Sequence, residues 1–217
     1  MVKAAVVAAT VLGVMFVAAC GSGPQTREGG NGVVSGVSTS DHDGYAGALL
    51  TEPYVVPDVN LTATDGSRFS LAKDTEGKLT VLFFGYTQCP DVCQVVMGTI
   101  ASAYARLDKV ARAKVQVIFA TTDPARDTTR VLRSYLDRLN PRFIGLTGDI
   151  SDLDAAGKPL GVFVKKGSKL PSGGYDVSHT TSVIAIGGKG KAPLVWSATT
   201  SPAQMAADID KLLKKKV

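Results

Sequence analysis

The sequence predicts an α/β fold: a central mixed β-sheet flanked by helices, with an N-terminal hairpin extension. Three observations predict it. Residues 79–86 and 115–120 are almost continuously apolar and rich in β-branched and aromatic side chains, the pattern of strands buried on both faces. Two intervening stretches, Pro90 to about Val110 and Thr128 to Leu139, repeat apolar residues every three or four positions, as helices with one buried face do. The strand-like runs 182–186 and 194–196 are joined by little more than residues 187–191, and so short a link requires antiparallel pairing.

The remaining elements follow in order. Residues 58–62 and 68–71, with Asp65-Gly66 between them as a turn signal, predict the N-terminal hairpin. A short helix is expected at 151–157, a strand at 161–164, an edge strand at 194–196 and a closing helix from Pro202. Strand, helix, strand, helix, then hairpin and helix is the order of a thioredoxin-like sandwich. A doubly wound flavodoxin-type sheet fits less well because its strands run parallel. No repeat or second linker interrupts residues 49–217, which read as one domain.

A chain of 217 residues that is 45% hydrophobic and 20% charged can bury a core, which excludes a disordered protein. The net charge of +5 comes without a basic-aromatic stripe, and nothing in it points to nucleic acid. Three cysteines are too few, and odd in number, for a disulfide scaffold. The first is explained by its neighbours. Met1-Val2-Lys3 precedes residues 4–19, which carry no charge, and this run is shorter than the roughly 20 residues of a spanning helix. It ends in Val17-Ala18-Ala19-Cys20-Gly21, which resembles the lipobox of bacterial lipoproteins. That resemblance implies a signal peptide over 1–19, cleavage before Cys20 and a lipid on its sulfur, holding the protein to the extracytoplasmic face of the cell membrane. Residues 20–48, rich in glycine and without apolar periodicity, read as a flexible tether. His42 lies within it, and an Asp-flanked histidine in such a segment reads as solvated surface rather than a ligand.

The other two cysteines stand in Cys89-Pro90-Asp91-Val92-Cys93, where the first buried strand gives way to a helix. The spacing brings both sulfurs to one face, open to the outside, and puts Cys89 at the positive end of the helix, where thiolate is favoured. Such a pair can cycle between dithiol and disulfide, or it can hold a soft metal. Zinc is disfavoured, because only two cysteines and two histidines remain once Cys20 is set aside. His179, immediately before the late strand, is the candidate third ligand. In a thioredoxin-like topology the loop before that strand faces the cysteines, and two thiolates with an imidazole suit copper, as Cu(I) or Cu(II). Met97, one turn beyond Cys93, reads as a core residue. No peroxidatic cysteine motif is present.

Residues 83–93, 122–128, 143–148 and 175–180 together resemble the Sco (SenC/PrrC) family of cytochrome c oxidase assembly proteins. The resemblance implies a thioredoxin-like domain that binds copper through Cys89, Cys93 and His179. It further implies copper delivery to the binuclear centre of oxidase subunit II, or reduction of that target's cysteines by a Cys89/Cys93 redox pair. Other copper chaperones or thiol oxidoreductases would be further partners. Gln94 departs from the family's usual proline, and Ser178-His179-Thr180 from its Asp-His-Ser, which removes an acid beside the histidine. Asp123 and Asp127 match the family's DPxRD segment: Asp127 is expected to cap the helix from Thr128, and Asp123 is a candidate for supporting the metal ligands from behind.

Overall fold

The computed structural model describes residues 44–169, 175–179 and 181–215. The expected signal peptide, Cys20, His42 and most of the expected tether lie outside the described residues. Those described fall within one compact unit, Val33–Val217.

The elements are β1 (Ala48–Val55), β2 (Asn60–Ala63), β3 (Arg68–Ser70), β4 (Leu79–Gly85), α1 (Val92–Arg106), α2 (Lys109–Lys114), β5 (Val115–Thr121), α3 (Thr129–Asp137), β6 (Ile144–Thr147), α4 (Ile150–Gly157), β7 (Val164–Lys169), β8 (Tyr175–His179), β9 (Val183–Gly187), β10 (Lys191–Trp196) and α5 (Pro202–Lys214). Eight strands form a mixed sheet in the order β1-β10-β9-β4-β5-β6-β2-β3, while β7 and β8 form a separate antiparallel pair. The architecture is thioredoxin-like, with the predicted hairpin present as β2–β3.

The apolar runs occupy the centre for the reason the sequence gives. β4 and β5 are buried at every position and pair in parallel from Leu79↔Val115 to Gly85↔Thr121. Alternate side chains serve two cores. Phe83 and Phe119 pack with α1, α3 and α5 on one face, and Leu82, Phe84 and Ile118 pack with α4 and the hairpin on the other.

The structure differs from the sequence reading at five places. The predicted helix from Pro90 to Val110 is two helices, because the Asp108 carboxylate accepts the Ala111 N–H at 2.7 Å and caps a new start. Gly161 is not in a strand: its φ of +73° ends a 3-10 turn, and a Cβ there would lie 2.8 Å from the Tyr54 hydroxyl. The strand in that region starts at Val164. β10 is not an edge strand, since β1 pairs along it from Ala48↔Val195 to Val55↔Lys191. Residues 44–48, read as tether, belong to the fold, as the Ala46 and Gly47 N–H groups donate to the buried Asp208 carboxylate. β6 and β8 are strands that the sequence pattern does not announce, each a short run with mixed polarity.

Among the described residues, no helix is long and apolar enough to cross a membrane.

Candidate metal centre

The cysteine pair is built from the end of β4 outward. The Thr122 N–H donates to the Gly85 carbonyl at 2.7 Å, so the ends of β4 and β5 stay together past the sheet. The chain then turns, with the Cys89 N–H returning to the Tyr86 carbonyl at 3.2 Å. Asp91 occupies the cap position of α1 but makes no side-chain cap bond. The sulfur of Cys89 accepts the Cys93 N–H instead, at 3.4 Å, and so partners one of the helix's otherwise orphaned donors. Both cysteines are thiols.

The pair does not face outward as the spacing suggested. Cys89 is 5% exposed and Cys93 fully buried. The cause is Gly85: a Cβ there would stand 3.1 Å from the Cys93 sulfur, 2.9 Å from the Phe83 ring and 3.0 Å from the Phe119 ring. The missing side chain is the space that the sulfur fills. Burial pushes the Cys93 thiol far above its usual range, and its hydrogen bond with Cys89 pushes the same way. Tyr135, packed into the same core, is pushed up to about 12, first by burial and then by the charge Cys93 would carry. A bare thiolate is thus disfavoured at Cys93. A soft cation that replaces the proton and neutralises the sulfur suits this environment, which is the chemical test a metal must pass here.

Asp127 does not cap α3. Thr128 does so through its hydroxyl, which accepts the Val131 N–H. Asp127 is fully buried and accepts from the Thr87 N–H at 2.9 Å, the Thr87 hydroxyl at 2.5 Å and the Thr121 hydroxyl at 2.7 Å. It therefore clamps the turn that carries Cys89. The sequence reading missed this role of Asp127, and with it Thr87, Thr121 and Gly85. The available signal was that parallel β4 and β5 must end side by side, bringing the segment after Thr121 against the one after Gly85. Asp123 is 2% exposed and pairs with the Arg126 guanidinium, which lies 5.7 Å from the centroid of the Tyr86 ring. Its reach to the cysteine turn runs through Arg126 and Tyr86. Met97 is fully buried in the core on the α1 face, as expected.

His179 ends β8 opposite Val164, in a strand rather than the expected loop. Four residues later Val183 begins β9 and pairs with Phe83 of β4. The backbone register thus starts β9 at the sheet end that carries Cys89. Among the residues whose side chains the structure describes, which do not include His179, no third Cys, His, Asp or Glu joins the sulfurs in a metal-sized cluster.

The SCO1/SenC family model matches residues 49–214. A Stutzerimonas stutzeri relative is 32% identical over 142 residues, 65% of this chain and 69% of that protein. Protein SCO2, mitochondrial, of Saccharomyces cerevisiae is 32% identical over 148 residues, 68% of this chain but only 47% of its own length. This chain thus spans about half of the yeast protein. Among solved structures, Bradyrhizobium japonicum ScoI with copper bound shares 29% identity at a TM-score of 0.66, covering 73% of this chain and 99% of that one. A SCO1/SenC family lipoprotein from Bacillus anthracis str. Ames shares 25% at 0.63, covering 76% and 99%. BsSco, described with a disulfide switch and as a member of the Sco family of cytochrome c oxidase assembly proteins, shares the fold at 22% identity and a TM-score of 0.61, covering 75% and 95%. With a matching model over residues 49–214, the chain belongs to the SCO1/SenC family.

Proposed function

We propose that this protein is a copper-binding metallochaperone held at the extracytoplasmic face of the cell membrane by a lipid on Cys20, and that it serves assembly of the binuclear copper centre of cytochrome c oxidase subunit II. Copper is its cargo, carried by Cys89, Cys93 and His179. The observation that carries the reading is the buried thiol pair, bridged by the Cys93 N–H to Cys89 Sγ bond at 3.4 Å, in a site where burial opposes a bare thiolate. Cu(I) prefers few, soft ligands and tolerates a water-poor site. The copper-bound ScoI relative supports the cargo, the lipoprotein relative the anchor, and the BsSco description the target process.

The touching thiols favour one second reading. Cys89 and Cys93 can also give up two electrons and two protons to a disulfide in the target, becoming a disulfide themselves while the target's cysteines are freed for copper. Cells lacking the protein separate the proposals. Loss of copper from the terminal oxidase, restored by added copper, is expected of a chaperone. Restoration by an external thiol reductant but not by copper would point to the reductase. Full copper loading of the oxidase in those cells would refute both.

A further inference from the structure

A second site lies at the opposite end of the central strands from the cysteines. A cavity of about 230 Å³ opens where β4 and β5 begin, lined by Lys78, Arg112 and Arg142 together with Tyr104, Gln116 and Phe143. β4 separates it from the cysteine turn by seven residues, roughly 20 Å at the rise of an extended strand. The three cations come from three separate places: Lys78 just before β4, Arg112 on α2 and Arg142 just before β6. We infer that this cavity binds a small oxyanion, phosphate or a phosphate ester, through Lys78, Arg112 and Arg142. The inference is independent of the copper reading.

Charge and rigidity carry it. Four cations among the described residues have carboxylate partners: Lys73 with Asp58, Arg126 with Asp123, Arg133 with Asp137, and Lys211 with Asp208. Lys78, Arg112 and Arg142 form no ion pair with the described residues, and all three line one cavity whose lining holds no acid. Three like charges gathered without a counter-charge disfavour one another, and an anion among them relieves that. Asp108, four residues before Arg112, spends its carboxylate on the cap of α2, and its carbonyl accepts from the Arg112 Nε at 3.4 Å. The walls are held in place before any ligand arrives. The Tyr104 hydroxyl donates to the Arg112 carbonyl at 3.4 Å, and its ring meets Phe143 edge to face at 5.5 Å. The Gln116 amide donates to the Asp74 carbonyl at 3.0 Å and to the Thr80 hydroxyl at 2.8 Å. Guanidinium forks match the paired oxygens of phosphate better than a single point charge does. The volume admits phosphate or a small ester, and the absence of carboxylate and imidazole from the lining argues against a metal.

The same chemistry is offered by free phosphate and by the headgroup of an anionic lipid, so the test has two arms. The full chain is titrated at fixed ionic strength with inorganic phosphate, and separately with glycerophosphoglycerol, the deacylated headgroup of phosphatidylglycerol, while the amide signals of Arg112 and Phe143 are followed by NMR. Saturable binding in either arm is expected, weakened tenfold or more in Arg112→Gln and in Arg142→Gln, and unchanged in Lys189→Gln, which removes the same charge elsewhere. The arm that binds more tightly names the source. All three substitutions are at surface positions, and thermal midpoints check that each variant is folded. Saturation in neither arm, or an equal loss in Lys189→Gln, would overturn the inference.

Discussion

Asp127 and Asp208 are both carboxylates buried to 1% exposure or less, and both tie together distant stretches of chain, yet they hold different things. Asp208, on α5, accepts the Ala46 N–H, the Gly47 N–H at 2.9 Å and the Trp196 indole N–H at 3.0 Å, with the Lys211 ammonium 3.8 Å away. It pins the first described residues of the domain to its last helix. Asp127 takes three neutral donors from Thr87 and Thr121, and it holds the turn from which Cys89 projects. The bonding is alike, and the consequence is set by what lies on the far side of it. A buried carboxylate that grips a chain end supports the fold, whereas one that grips a reactive turn also fixes where two sulfurs sit.

Substitution of the two acids should separate these roles. Asp127→Ala and Asp208→Ala each strand several buried donors, and each should cost about 3 kcal/mol of stability in thermal or urea unfolding. Only Asp127→Ala should also raise the alkylation rate of the cysteines, by tenfold or more under conditions where both variants remain folded. Equal alkylation rates in the two variants would break the comparison. Gly85→Ala comes next in size. The added methyl has contacts of 2.9–3.1 Å with Phe83, Phe119 and the Cys93 sulfur, and it should cost roughly 1–3 kcal/mol while displacing that sulfur. An unchanged midpoint and unchanged alkylation would show that the packing yields freely.

A further effect, confined to alkaline pH and absent near neutrality, is on the pH dependence of the metal-free, reduced protein. The Cys93 thiol is raised above its unfolded value, chiefly by burial. The folded state therefore holds this proton more tightly than the unfolded one, and the stabilisation is complete below the ordinary thiol range. It drains as pH rises above about 8.5, by about 1.4 kcal/mol per unit until the folded group itself titrates. Cys93→Ser should flatten the alkaline fall in stability relative to the parent; parallel curves would show that another group is responsible.

The same contrast explains what could be read from sequence. β4, β5 and the helices after them declare themselves because burial on two faces or on one stripe leaves a period in the residues. The cysteine pair declares itself by chemistry and spacing, and His179 is singled out by its chemistry as the candidate third ligand. The clamp does not, since Asp127 followed by Thr128 resembles a helix start, and only the pairing of β4 with β5 reveals that Thr87 outcompetes the helix for its carboxylate. The burial of the sulfurs was hidden for a similar reason. It depends on the space at Gly85, which a linear pattern of polar and apolar residues does not encode. β1 was obscured by its own composition, because a run holding Thr51, Glu52 and Pro53 reads as loop until β10 is there to pair with it.

Copper titration of the reduced full chain, followed by absorption spectroscopy, bears most directly on the central claim. One copper per chain is expected, with the sulfur-to-copper charge-transfer bands lost in Cys89→Ser and in Cys93→Ser, and with affinity at least tenfold weaker in His179→Ala. A His179→Ala protein that binds Cu(II) as tightly as the parent, with the same spectrum, would contradict the three-ligand site.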